Sequence, residues 1–348
     1  MTARRAFGRA LDFRHGRVEM SHGSGGKATT QLVEQLFVAA FDNPMLACQD
    51  DQACFQPPPG RLVMSCDGHV VSPLFFPGGD IGSLAVHGTV NDLAMAGARP
   101  LYLSAGFILE EGLPLADLKR IVESMAGAAG EAGVDVVTGD TKVVEQGKGD
   151  GVFITTTGVG VVPDDVDIRG DRARPGDRIL LSGRIGDHGV AIMSRREELD
   201  FDVPLASDSA ALHELVAAMV AAVPDIHCLR DPTRGGLGTT LNELARQSGV
   251  GMRLVEEAIP VAEAVRGACE FLGLDPLYVA NEGKLVAICA AEHAGTLLEV
   301  MRAHPLGAEA ADIGEVVADQ HGFVEMETRF GGRRVVDWLS GEQLPRIC

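Results

Sequence analysis

The chain has 348 residues, 46% apolar and 23% charged, and its 49 Asp and Glu against 30 Lys and Arg give a formal charge of −19. That length suits two medium domains with real cores, and so acidic a field argues against nucleic acid or anionic lipid as partner. A phosphate substrate stays open, because divalent cations held by carboxylates invert the field locally.

Residues 1–20 carry charges throughout without an apolar h-region, and no stretch reaches the roughly 18 uninterrupted apolar residues of a membrane span. Seven cysteines with no CxxC pair argue against a disulfide framework or a structural zinc site. The expected compartment is cytoplasmic. Val33, Leu36, Phe37 and Ala40 then form a helical stripe closed by Asn43-Pro44. Residues 62–66 read as a short buried strand ending at Asp67. A helix over 81–96 starts behind Gly78-Gly79-Asp80, with Asp80 as N-cap, and stops at Gly97. A strand at 101–107, an Ala-rich helix at 114–132 and strands at 134–138 and 152–162 follow. Residues 163–177 are rich in Asp, Arg, Pro and Gly and mark the best domain boundary. Beyond them come a strand at 178–182, helices near 186–196, 209–222 and 236–248, a strand at 251–255, a helix at 260–272, a strand at 284–290, a helix at 293–303 and a strand at 312–317. The pattern predicts an α/β (α+β) chain: an N-terminal extension over 1–20, domains over 21–165 and 175–338, and a tail over 339–348. The tail lacks amphipathic period and contains Gly341 and Pro345, so it is expected to be mobile.

Single aspartates are usually solvated surface residues, but four here have a special setting. Asp67 follows a strand, Asp140 follows another after Gly139, Asp51 lies in Gln49-Asp50-Asp51-Gln52, and Asp92 interrupts an apolar helix. Carboxylates at strand ends converge on the crevice where α/β proteins bind ligands, and Mg²⁺ takes carboxylate and phosphate oxygens. A magnesium–nucleotide site follows as the expectation. The segment His22-Gly23-Ser24-Gly25-Gly26-Lys27 leads into a helix; it is either a phosphate cradle or a plain helix entry, and it is not a Walker A loop. Lys142 in Gly139-Asp140-Thr141-Lys142 suits a charge clamp on phosphate. Arg230-Asp231-Pro232-Thr233-Arg234 is either part of that site or a capped turn with a solvated ion pair. Glu282 in Asn281-Glu282-Gly283-Lys284 is either a turn residue or a base with a raised pKa. A free thiol as last residue adds nothing to packing and is oxidisable. Its α-carboxylate should raise the thiol pKa and Arg346 should lower it. A ten-residue arm reaches up to ~33 Å, enough to visit one site and present a product at another.

The ending Pro345-Arg346-Ile347-Cys348 resembles the terminus of the hydrogenase maturation factor HypE family. So do HGSGG (22–26), PLFFPGG (73–79), GTVNDLA (88–94), GFILEEGLP (106–114), TGDTKVV (138–144), RDPTRGG (230–236), ANEGKL (280–285) and HPLG (304–307), so the likeness runs from residue 22 to 348. It implies two domains like aminoimidazole ribonucleotide synthetase and a homodimer through the N-terminal domains. It further implies an ATP and Mg²⁺ site in the cleft. Metal falls to Asp51, Asp67, Asp92 and Asp140; the nucleotide falls to Gly23, Ser24, Gly25, Gly26, Lys27, Lys142 and Asp231. Glu282 with His87 would move protons, and Cys348 would carry the substrate. The implied reaction turns an S-carboxamide on Cys348, loaded by a HypF carbamoyltransferase, into an S-cyanate passed to iron on a HypC–HypD scaffold. Another phosphoryl-transfer synthetase of the same fold, or a non-catalytic carrier, is the rival; the terminal cysteine speaks against the first and the aspartates against the second.

Overall fold

The structure is a computed structural model and describes residues 10–197, 205–341 and 344–348. The first nine residues of the N-terminal extension lie outside it. Strands β1 (Arg61–His69), β2 (Arg99–Glu110), β3 (Asp135–Val144) and β4 (Val152–Val162) form a four-stranded sheet in the order β1-β4-β2-β3. Helices α1 (Ile81–Met95) and α2 (Leu115–Glu131) pack on it. The Asp80 N-cap is as expected: its Oδ1 accepts from Gly82 N at 2.8 Å and Ser83 N at 3.2 Å, filling two of the free amides that open a helix. Twelve of the 15 residues of α1 are buried. The exceptions are Ser83, which completes the cap, and His87 and Asp92. Gly88 lets α1 close on β1, since a Cβ there would stand 3.0 Å from His69 and 3.2 Å from the Asp67 carboxylate.

Two strand expectations need correction. Residues 62–66 belong to a longer strand that runs through Asp67 to His69, and as an edge strand it leaves Leu62 and Met64 at 60% and 70% exposure. Likewise β3 continues past Thr138 through Asp140 and Lys142. Both aspartates sit within paired strands rather than behind them. Apolar runs mark where a strand is buried, not where its hydrogen-bonded ladder stops.

The second domain follows the 163–177 connection. Its elements are β5 (Arg178–Leu181), α3 (Asp187–Arg196), α4 (His213–Ala222), β6 (Cys228–Arg230), α5 (Gly236–Ser248), β7 (Gly251–Val255), α6 (Glu263–Leu272), β8 (Val286–Cys289), α7 (Ala291–Ala303), β9 (Ala311–Val317), β10 (Val324–Glu327) and β11 (Arg333–Val335). The seven strands order as β11-β10-β7-β9-β5-β8-β6. Strands β6, β10 and β11 carry only three or four residues each, too short to show a period in sequence. One apolar cluster joins the domains: Leu93, Ala94 and Met95 of α1 pack with Leu212, Leu215 and Met219 around α4. This shared core holds the cleft between the domains in place.

From the N-terminal extension, Val18 is 1% exposed in the first core and its N–H donates to Leu113 O at 2.8 Å. No helix among the described residues is long and apolar enough to cross a membrane.

Candidate active site in the interdomain cleft

A cleft of about 350 Å³ opens beside the end of β1, lined by Gly68, Val70, Arg234, Tyr278 and Ala280 and by the chain's own end, Pro345 to Cys348. The tail is thus inserted. Ile347 is 3% exposed within the first domain's core. Cys348 lies against Glu282, and the thiol pKa is driven far above its ordinary value by burial and then by the charge of Glu282, while Arg234 pulls it down. The cation that matters is therefore Arg234. The Arg346 guanidinium turns away to Asp150, which corrects the expected role of Arg346.

Glu282 is 3% exposed and its Oε1 has no hydrogen-bond partner. Burial, then the charges of Asp231, Asp208 and Asp67, hold its pKa well above the usual carboxylate range. Its main chain is fixed on both sides: its N–H donates to Asp208 Oδ1 at 3.1 Å, and its carbonyl accepts from Asn91 Nδ2 at 3.3 Å. Asp208 is clamped in turn by Lys284 Nζ at 3.0 Å. A buried carboxyl so firmly held and left half unsatisfied is shaped to take up a proton or a donor.

Asp67, Asp92 and Asp231 form the acidic wall behind it and feel one another's charge. Burial is the main cause that raises Asp92, whose Oδ2 accepts from Ser65 Oγ. Burial and the charge of Asp92 push Asp231 up to about 7. Excess negative charge poorly neutralised by protein suits a divalent cation, and an all-oxygen donor set suits Mg²⁺. Yet among the described residues no group of three or more His, Cys, Asp or Glu side chains is placed to hold a metal. The four aspartates of the sequence do not meet in one chain.

Asp140 and Lys142 lie on β3, at the opposite edge of the first sheet from Asp67 on β1. The register Asp67–Thr156–Ala105–Gly139 puts them nearly level but three strand spacings apart, roughly 14 Å. There Lys142 Nζ bonds both Asp140 oxygens, at 2.8 and 2.6 Å, in an exposed pair. The HGSGG segment sits with them: a Cβ on Gly23 would meet Val143 N at 2.6 Å. Ser24, Gly25, Gly26 and Lys27 are exposed at a helix entry capped by Gly26. Asp51 is an exposed loop residue. Strand continuity split the predicted set into two halves, which chain order does not reveal.

His87 is anchored on the side of its Nδ1. That nitrogen pairs with Ser209 Oγ at 2.9 Å, and burial, then His213, lowers the ring's pKa to about 4. It backs the loop that Asn91 ties to Glu282. Sequence reasoning passed over His69, which is 2% exposed beside Asp67. Thr156 Oγ1 donates to Ala85 O, so it accepts from His69 Nε2, and Nδ1 is left without a partner. The signal was its place two residues after Asp67 in one strand, hence on the same face.

Residues 49–162 match the N-terminal domain, and residues 174–327 the C-terminal domain, of the AIR synthase related proteins. Fold and cleft thus define a two-domain enzyme of that superfamily. The chain is 76% identical over 338 residues to the carbamoyl dehydratase HypE of Azotobacter vinelandii, covering 97% of this chain and 99% of that one. A HypE solved in complex with ATP superposes with a TM-score of 0.92 at 55% identity, covering 94% and 99%. The HypE of a HypE–HypF complex does so at 0.78 and 49%, covering 88% and 99%. The chain belongs to the HypE family of carbamoyl dehydratases.

Proposed function

We propose that this enzyme uses ATP to dehydrate an S-carboxamide on Cys348 to an S-cyanate, which supplies the cyanide ligands of a NiFe-hydrogenase iron. The observation that carries this is the terminal thiol lying against the half-unsatisfied carboxyl of Glu282, in a cleft walled by Asp67, Asp92 and Asp231. A carboxamide oxygen is a poor leaving group until phosphorylated. In the proposed sequence it attacks the γ-phosphorus of ATP and ADP departs. The two N–H protons leave, one on phosphorylation and one as phosphate departs, and S–C≡N remains. Glu282, when ionised, is the acceptor facing that nitrogen, and its raised pKa makes it a stronger base than an exposed carboxylate. His87, neutral and bonded to Ser209, sets the loop behind it. Asp67, Asp92 and Asp231 are the residues to hold Mg²⁺, with Asp51 and Asp140 completing its surroundings. The ion would spread the charge on the transferred phosphoryl.

A second copy supplies the missing half in this reading. Both edges of the first sheet, β1 and β3, lack a neighbour among the described residues, and β1 exposes Leu62 and Met64. An open apolar edge is a pairing surface. Joining β1 of one copy to β3 of another would set Asp140, Lys142 and HGSGG against the acidic wall, as a homodimer through the N-terminal domains. Loading of Cys348 falls to a carbamoyltransferase like the HypF that a relative was solved with. It must occur with the tail withdrawn, because the inserted thiol is protonated and shielded. Delivery to a HypC–HypD scaffold requires the same withdrawal. The cytoplasm suits seven free cysteines.

The test is the intact mass of the C-terminal peptide after incubation with a carbamoyl donor, HypF and ATP. A carbamoyl gain followed by ATP-dependent loss of water is expected, and neither in Cys348→Ala. ATP turnover that ignores Cys348 would instead mark a kinase acting on a free small molecule.

A further inference from the structure

The last four residues are held by a run of donors, and each of their main-chain carbonyls is met. Arg196, at the end of α3, donates Nη1 to Pro345 O at 2.6 Å and Nη2 to Arg346 O, while its Nε donates to Ser72 O. Ser72 N also donates to Arg346 O, at 3.2 Å. His188, about two turns further back on α3, meets Ile347 O through Nε2 at 2.8 Å. Val70 N donates to Cys348 O at 2.9 Å.

The hydrogen-bond logic fixes the state of His188. A carbonyl only accepts, so Nε2 carries the proton. Nδ1 is then the acceptor and takes the hydroxyl proton of Ser207, 2.8 Å away. Burial lowers the pKa of His188 and keeps the ring neutral. Ser207 is placed by the PLFFPGG segment: its N–H donates to Pro77 O at 2.8 Å, and Gly78, at φ +91°, clears its backbone, where a Cβ would come within 2.7 Å. Thus a motif with no direct part in the chemistry acquires a role through Ser207.

All of these contacts read main-chain carbonyls and none touches sulfur. They set the register of the tail, and so the distance of Sγ from Glu282, whatever group the sulfur carries. We infer that Arg196 and His188 are positioning residues for the dehydration, a clamp that seats the tail backbone and thereby aims the Cys348 substituent at Glu282. The inference rests on the S-carboxamide reading for its catalytic consequence, though not for the clamp itself. A guanidinium spanning three carbonyls is hard to replace, because an ammonium lacks the planar fork.

The experiment uses the full-length chain in two arms. In the first, without ATP or carbamoyl donor, the rate at which N-ethylmaleimide modifies Cys348 is followed by mass of the C-terminal peptide. Arg196→Ala should raise that rate at least about tenfold with the melting temperature little changed, and Arg196→Lys should lie between it and wild type. In the second, the carbamoylated chain should turn over about 10–100-fold more slowly in Arg196→Ala at unchanged KM for ATP. Should Arg196→Ala not fold, Ser207→Ala, which frees the His188 ring, should show a smaller rise in labelling. A folded variant that labels at the wild-type rate overturns the clamp. Faster labelling with undiminished turnover overturns the positioning role. No turnover in wild type would remove the S-carboxamide reading and leave the labelling arm intact.

Discussion

At the scale of single residues, the site gathers groups whose charged forms burial disfavours. Glu282 binds its proton more tightly in the folded chain than in the unfolded one, because burial comes first among the causes that raise its pKa. The folded state therefore binds more protons above the ordinary carboxylate pKa, and stability falls as pH rises through that window. Glu282→Gln removes the effect. Without metal or nucleotide, its melting temperature relative to wild type should climb as pH rises above the ordinary carboxylate range, while dehydration is lost. A flat difference would mean that the carboxyl is not strained. His87 has the opposite sign. Its pKa falls from 6.5 to about 4 on folding, so its contribution is intact above 6.5 and is lost as pH drops towards 4, on the order of 3 kcal/mol at most. His87→Gln, able to keep a bond to Ser209, should lose less stability than wild type in urea unfolding at pH 5 against pH 7. Equal losses would place the acid sensitivity elsewhere.

At the scale of elements, the helix α1 and the loop carrying Glu282 do the placing. Asp80 opens α1 with two accepted amides, and Asp80→Ala should cost about 1 kcal/mol by chemical denaturation. Because α1 carries His87, Asn91 and Asp92, the loss should also loosen the Glu282 loop. Gly283 is more severe: a Cβ there would fall 1.8 Å from Asp208 O. Gly283→Ala must displace the main chain of Asp208, whose carboxylate holds the Glu282 amide and Lys284, so a loss of several kcal/mol, roughly 2–4, is expected in the same assay. Wild-type stability in that variant would show that the loop yields freely. Both elements were legible: Gly-Gly-Asp before an apolar run and Asn-Glu-Gly-Lys before a strand are local signals. Strands β6, β10 and β11 were not, since their pairing is a property of partners far along the chain.

For the whole molecule, the proposal is that no single copy owns a complete site. Asp92 and Lys142 belong to different halves: Asp92, on α1, is bonded by Ser65 of β1, while Lys142 lies on β3 at the opposite sheet edge. Asp92→Asn and Lys142→Ala should each be nearly inactive. Mixed and re-equilibrated in equal amounts, they should recover about a quarter of wild-type turnover, since half the dimers are mixed and one of their two sites is intact. No recovery, with dimers demonstrably exchanged, would put both residues in one chain's site.

What the sequence alone determined is whatever depends on neighbours in the chain, such as the Asp80 cap that opens α1. The motifs from HGSGG to PRIC also carried the family, because the residues that make a reaction are kept in recognisable strings. Which strings meet was decided only by tertiary structure. Strand order sent Asp67 and Asp140 to opposite edges, and docking of the tail brought Cys348 to Glu282, 66 positions away along the chain. It also set Arg234 rather than Arg346 as the cation at the sulfur. The reason is physical: periodicity and capping act over a few residues, whereas electrostatics and packing act over ångströms, and only the fold converts one distance into the other.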